Sequence, residues 1–423
     1  MSSVKIQKIH AREVLDSRGN PTVEAEVTVN GQVYRAIAPS GASTGKHEAV
    51  ELRDHEKRYL GLGVQKAVEN TKTFISERLV GMDIRNQQVI DEALIETDGT
   101  KEKSNFGANA MLAVSLACTR AGADARKVPL YRYIAQISGT KGTRLPVPMC
   151  NIINGGKHAG QDADIQEHMI MPIKAGSLSE ALQHTTEIYH TLKQLLKKKF
   201  GSQATLVGDE GGFVPPLKTV SSRLDIIQKA IDQLGYEKEF AFALDAAASE
   251  FYNQKREKYR INKRWYTSEK LMDFYEDLSK SYSLFSIEDG FAEDDWKSWQ
   301  AFTKRSGRKI QIVGDDLLAT NTERISTAIK NNACNALLLK VNQIGTLTEA
   351  INAAKLAQKN GWNSIVSHRS GETEDTFIAD FVVGVSAGQA KFGAPARSER
   401  TAKYNQLFRI EEDLGRKAVY GLP

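Results

Sequence analysis

Six short apolar runs in the second part of the chain each stop on an ionisable residue. Phe242-Ala-Leu stops on Asp245, Leu284-Phe-Ser-Ile on Glu288 and Ile312-Val-Gly on Asp315. Ala336-Leu-Leu-Leu stops on Lys340, Ser364-Ile-Val-Ser on His368, and the run near Gln389-Ala390 on Lys391. The last five ends lie about twenty to thirty residues apart, the length of one strand–helix unit. Runs this short and apolar read as strands buried on both faces, as in a parallel sheet. The unit at Lys340 shows the whole pattern. Leu337-Leu-Leu is the strand, Thr346-Leu-Thr-Glu349 has capping-box spacing, and Leu347, Ile351, Ala354 and Leu356 line one side of a helix that Gly361 stops. A closed α/β barrel brings the carboxyl ends of its strands to one rim, where barrel chemistry is placed. An earlier run, Ala204-Thr-Leu-Val-Gly, leads to Asp209-Glu210 and is read as part of that rim.

A chain of 423 residues is too long for one small core, so two domains are expected. Residues 4–37 alternate apolar and polar, with Val23, Ala25, Val27 and Val29 on one face. Asn30-Gly31 then predicts a type I′ turn, and Val33 to Ile37 the returning strand. Pro39-Ser-Gly-Ala-Ser-Thr-Gly45 is small, hydroxyl-rich and broken by glycine. It reads either as a plain connector or as a lid whose backbone approaches a ligand. Helical patterns follow at 63–79, 83–97 and 105–124. Strands followed by helices predict a smaller α+β capping domain over 1–130, carrying the lid loop 39–45. A linker near 126–140 then leads to a catalytic barrel over 140–423.

No run of about 18 apolar residues is present, and the polar start Met1-Ser-Ser-Val-Lys-Ile lacks the apolar core of a signal peptide. A cytoplasmic protein is expected; a surface or secreted pool would leave no mark in these residues. Cys118, Cys150 and Cys334 lack metal or redox spacing and read as buried free thiols. The net charge of +5 is mild. Its one compact basic run, Lys197-Lys-Lys199, closes an amphipathic helix, where cations complement the dipole. No intrinsic nucleic-acid or membrane binding is expected, and a basic balance suits a small anionic substrate.

Asp245, Glu288 and Asp315 are three carboxylates on successive strand ends. Crowded carboxylates repel one another unless a cation joins them, and an all-oxygen set without cysteine selects a hard ion such as Mg²⁺. Lys340 faces them. It is either a structural lysine paired to a rim carboxylate or a general base. A base needs its pKa lowered from about 10.4 to about 7–8, some 4 kcal/mol of differential interaction. Mg²⁺ and Lys391 are expected to supply it. Glu167 and Glu210 form a second carboxyl set, in which one group kept protonated by the other would serve as a general acid. His158, His368, Arg369, Ser370 and Lys391 add donors for an anion. Such a rim is equipped to remove a proton next to a carboxylate and expel a β-hydroxyl.

Several motifs match a known family. They are Asp16-Ser-Arg-Gly-Asn-Pro-Thr22, Ser40-Gly-Ala-Ser-Thr-Gly45, Asn154-Gly-Gly-Lys-His158 and Ser286-Ile-Glu-Asp289. With them go Leu337-Leu-Leu-Lys-Val-Asn-Gln-Ile-Gly345, Ser367-His-Arg-Ser-Gly-Glu-Thr-Glu-Asp375 and Gly393-Ala-Pro-Ala-Arg-Ser-Glu-Arg400. Over nearly its whole length the chain resembles the enolases, the glycolytic 2-phosphoglycerate dehydratases. The lysine-plus-Mg²⁺ logic is itself a known property of that superfamily. The resemblance implies an eight-stranded, irregular and partly antiparallel TIM-like barrel behind an α+β cap. It implies Lys340 as the base at C2, and Glu210, with Glu167 beside it, as the acid at the C3 hydroxyl. Asp245, Glu288 and Asp315 would hold one Mg²⁺, and Ser43 would help hold a second that binds with the substrate. Arg369 and Ser370 would take the phosphate and Lys391 the carboxylate side, with Gln166, His158 and His368 completing the pocket. A homodimer or an octamer is implied. The chain departs from the family pattern at Gly290, where proline is usual, at His168, where an aromatic residue is usual, and in a shorter C-terminus. Two other readings compete: a related dehydratase acting on an unphosphorylated acid sugar, and a non-catalytic scaffold, RNA-degradation partner or surface-binding protein. The phosphate-side residues speak against the first, and the presence of both Lys340 and Glu210 against the second.

Overall fold

A computed structural model describes residues 4–41, 45–156, 160 and 164–422. Strands β1 (Ile6–Leu15), β2 (Pro21–Val29) and β3 (Gln32–Ile37) form an antiparallel sheet in that order. Asn30 and Gly31 both take positive φ (50° and 76°), as a type I′ turn requires. Val23, Ala25, Val27 and Val29 are all buried on the face that packs against the helix Ala108–Ala125. That helix is buried at each position from Ala108 to Thr119, and its small side chains let it lie close to the sheet. Helical structure also fills 65–79 and Gln87–Asp98. The stretch read as a linker contains a helix, Leu130–Ser138, with Tyr131, Tyr133 and Ile134 buried, and it packs on the helix Phe377–Gly384 of the second part.

Strand β4 (Arg144–Leu145) leads into the second part. There β5 (Val147–Pro148), β6 (Cys150–Asn154), β7 (Glu167–Pro172) and β8 (Phe240–Asp245) begin a large sheet. A small meander of β9 (Tyr252–Asn253), β10 (Lys258–Ile261) and β11 (Arg264–Tyr266) follows β8. The sheet resumes with β12 (Leu284–Glu288), β13 (Gln311–Gly314), β14 (Ala336–Leu339), β15 (Asn363–Ser367) and β16 (Gly388–Lys391). Finally β17 (Val419–Tyr420) pairs with β4. Nine segments run in the order β5-β16-β15-β14-β13-β12-β8-β7-β6. Met149 N donates to Ala390 O between β5 and β6, so those two act as one kinked strand and the sheet closes as an eight-stranded barrel. Among the described barrel strands β7 runs antiparallel to both neighbours, while β8 and β12 to β16 run parallel. This is the irregular, partly antiparallel TIM-like barrel that the resemblance implies.

The run at 204–208 is not a barrel strand. It is a 3₁₀ turn, Ser202–Thr205, followed by a loop joined through the bridge Val207↔Phe213. Leu206 and Val207 are exposed, so no apolar face holds them in a sheet. Glu210 therefore reaches the rim on a loop. All three cysteines are buried and free. No helix among the described residues is long and apolar enough to cross a membrane.

Candidate active site

Strand alternation decides what the rim presents. Val147, Met149, Met169, Ala243, Val313, Ala336, Leu338 and Ile365 fill the barrel interior, while Leu337 and Leu339 pack outward against the helices. Side chains two apart share a face. The face of Leu338 thus continues to Lys340, that of Ala243 to Asp245 and that of Val313 to Asp315. On β7, Met169 shares its face with Glu167. Because β7 is reversed, the start of that strand lies at the rim, with Glu167 opposite Asp245 in the ladder. A reversed strand is what lets a residue at its amino end join a site built from carboxyl ends.

Most of the predicted site residues converge. Gln166, Glu167, Glu210, Asp245, Asp315, Lys340, His368, Arg369, Ser370 and Lys391 line one polar cavity of about 50 Å³. Lys391 Nζ lies 2.9 Å from Asp245 Oδ2, 2.9 Å from both oxygens of Glu288 and 3.4 Å from Glu167 Oε2. Lys340 Nζ donates to Asp315 Oδ2, whose other oxygen accepts from Gln343 Nε2 at 2.8 Å. Gln166 N donates to Asp245 O at 2.9 Å. Arg369 pairs with Glu48 at 2.8 Å and donates to Asn342 Oδ1 at 3.2 Å. Glu210 Oε2 accepts from Asn151 Nδ2 at 3.0 Å, and Oε1 lies 3.5 Å from His368 Nε2. Ser43 and His158 lie outside the described residues.

Burial and crowding set the charges. Burial, then the charge of Glu210, raises the Glu167 carboxyl well above its usual range. Burial, then Asp245, does the same for Glu288. Lys340 departs from expectation. Burial pushes it down, and Arg369 and Lys391 add to that push, but the negative charges of Asp315 and Glu288 together outweigh them and its ammonium sits above the ordinary value. The salt bridge favours the charged form, so the lowered pKa expected from sequence is not a property of these side chains by themselves. Burial pushes His368 down to about 4.

The carboxylates suit a hard cation. Asp245, Glu288 and Asp315 come from the adjacent strands β8, β12 and β13. The mutual repulsion that raises Glu288 is of the kind a divalent ion relieves. A second acidic group joins them, for Asp289, Asp315 and Asp316 offer oxygens within 4.8 Å of one another. Asp289 accepts from the backbone N–H of both Asp315 and Asp316 at 2.9 Å, so it aims that pair rather than standing apart.

Several partners of these residues lie outside the predicted set. Asp289 and Asp316 each follow a predicted ligand and were open to discovery on that ground. Gln343 lies in the quoted Lys340 motif. Asn151 and Glu48 carry no local signal. Of the departures from the family pattern, His168 is fully buried, its Nδ1 3.3 Å from Ile153 O, and burial pushes it well below its usual value, so it packs as a neutral ring. At Gly290 an added Cβ would meet Ile287 at 3.3 Å and Tyr275 at 3.4 Å, and the Tyr275 hydroxyl donates to Gly290 O at 3.0 Å.

Comparison with known proteins agrees with this architecture. Residues 6–134 match the family model of the enolase N-terminal domain, and residues 142–422 match that of the enolase C-terminal TIM barrel domain. The chain is 54% identical over 418 residues to the enolase of Pyrococcus furiosus, covering 98% of this chain and 96% of the relative. It is 56% identical over 412 residues to that of Methanocaldococcus jannaschii, covering 97% and 96%. It is 54% identical over 418 residues to that of Thermococcus kodakarensis, covering 98% and 96%.

Proposed function

The chain belongs to the enolase family of lyases, and from that premise we propose that it catalyses the reversible, Mg²⁺-dependent dehydration of 2-phospho-D-glycerate to phosphoenolpyruvate in glycolysis and gluconeogenesis. The observation that supports the reading is the position of Lys340 relative to Glu167 and Glu210. Around the closed ring β7 and β14 are four strands apart in eight, hence on opposite sides. Lys340 therefore faces the Glu167–Glu210 pair across the cavity. That arrangement suits loss of the C2 proton and the C3 hydroxyl from opposite faces of one substrate.

In this reading Lys340 takes the C2 proton and Glu210 protonates the departing hydroxyl, with Glu167 as the buried carboxyl beside it. Lys391, Gln166, Arg369 and Ser370 bind the substrate's anionic ends, and His158 and His368 complete the pocket. Asp245, Glu288 and Asp315 would hold Mg²⁺, whose charge would stabilise the extra negative charge on the substrate carboxylate. A second Mg²⁺, bound with the substrate, belongs to the same proposal through Ser43. Residues 1–130 are taken as the cap with loop 39–45 as its lid, and residues 140–423 as the catalytic unit. The assembly is a homodimer or octamer in the cytoplasm, without intrinsic nucleic-acid or membrane binding.

The direct test is the ultraviolet absorbance of phosphoenolpyruvate formed from 2-phosphoglycerate. Product should accumulate with Mg²⁺ and stop on chelation. Undiminished turnover in chelator would remove the metal from the proposal, and no product under either condition would remove the reaction.

A further inference from the structure

The quoted motif Gly393-Ala-Pro-Ala-Arg-Ser-Glu-Arg400 has no role in the reading above. Its last residue, Arg400, is fully buried near the start of the helix Ser398–Leu414. Its guanidinium donates to Arg369 O at 2.6 Å, Ser370 O at 2.6 Å and Asp209 O at 3.0 Å. It also lies 2.6 Å from Nδ1 of His368. One cation thus ties the loop that carries Glu210 to the loop that carries His368, Arg369 and Ser370.

The contact to His368 has a chemical consequence. A guanidinium has donors only and does not lose its charge in a protein. Nδ1 of His368 must then be the acceptor, and the ring proton sits on Nε2. Other charged groups at this ring are Glu210 and Glu372, and its backbone N–H donates to Lys391 O. Nε2 points to Glu210 Oε1 across 3.5 Å, longer than a formed hydrogen bond and of a kind that shortens when substrate is bound. Asn151 holds the other oxygen of Glu210.

We infer that Arg400 is a positioning residue for the acid step, fixing His368 as the Nε2–H tautomer so that the ring faces Glu210 with a donor. The inference rests on the reading of Glu210 as the acid. In that step the Glu210 O–H bond and the C3–O bond break. The proton and the C–O electron pair leave as water, while the electrons released at C2 form the C2–C3 double bond. Glu210 is left as a carboxylate, which the His368 N–H and the Asn151 amide stabilise. The tautomer also removes a competitor. A bare Nε2 would accept the acid proton of Glu210, and an N–H cannot.

The test begins with the unaltered protein carrying ¹⁵N-histidine, the His368 signals being those lost in His368→Gln. A protonated Nε2 with a bare Nδ1 at neutral pH is expected; an Nδ1–H tautomer or an imidazolium overturns the inference. Kinetics of Arg400→Lys give a second readout. Lysine keeps the charge but cannot span four acceptors, so dehydration should fall about 10²-fold while exchange of the C2 proton with solvent stays within the same order of magnitude. Equal loss of both would make Arg400 a loop strut and overturn the inference. Should Arg400→Lys not fold, the tautomer in the unaltered protein decides by itself. Failure of the underlying reading is seen separately, as absence of phosphoenolpyruvate formation by the unaltered protein.

Discussion

Two lysines at the rim are held by carboxylates in different ways, and the difference separates their roles. Lys391 bonds Asp245 and Glu288 and lies beside Glu167, so it neutralises a crowd. Lys340 bonds one carboxylate, Asp315, which Gln343 holds from behind. A lysine with a single ionic partner is freed when that partner's charge is shared with a cation, whereas one among three is not. Lys340→Ala should therefore abolish both phosphoenolpyruvate formation and exchange of the C2 proton in deuterated buffer. Glu210→Gln should stop dehydration, by about 10²-fold or more, yet leave exchange in place. Exchange that persisted in Lys340→Ala would assign the base elsewhere, and its loss in Glu210→Gln would place Glu210 with the base instead of the leaving hydroxyl.

Elements carried most of what was legible from residues. Short apolar runs that end on charges give β8, β12, β13, β14, β15 and β16, because strand alternation carries an interior residue's face straight to the rim. Thr346 reads as a cap and is one: its hydroxyl accepts from Glu349 N at the start of the helix Leu347–Lys359. Thr346→Ala should cost about 1 kcal/mol in urea unfolding. An unchanged midpoint and slope would show that packing of Leu347 and Ile351 holds that helix end unaided. Other parts had no local signature. Glu210 rides a loop that resembles a strand only in composition. Glu167 enters the site through the reversal of β7, which depends on pairing with β6 and β8. Glu48 reaches Arg369 across 321 positions of sequence. The direction of the Lys340 shift depends on its contact with Asp315, and composition does not encode a contact.

The two parts of the molecule meet through buried polar joints, and one of them should titrate. Asp91, on the helix Gln87–Asp98 of the first part, is fully buried. Its Oδ1 accepts from Ser115 Oγ at 2.6 Å and Gln87 Nε2 at 3.0 Å. Its Oδ2 accepts from Thr348 N at 2.9 Å and Thr348 Oγ1 at 2.5 Å, at the first turn of the helix that follows Lys340. These donors and the helix N-terminus favour the carboxylate. Burial outweighs them and pushes the group up to about 6. The unfolded chain has an ordinary carboxyl near 3.9, so between those values the folded state binds the extra proton. The stability this provides is full below about pH 4 and is lost as the pH rises through about 6. A shift of about 2 units corresponds to roughly 3 kcal/mol. Asp91→Asn removes the titration but sets an amide N–H against Thr348 N–H, a cost that does not vary with pH. The stability of the unaltered protein relative to Asp91→Asn should accordingly fall by roughly 2 kcal/mol between pH 4 and 7, measured by urea unfolding at each pH. A constant difference would mean that Asp91 enters the joint already ionised, with the helix N-terminus and the four donors outweighing burial.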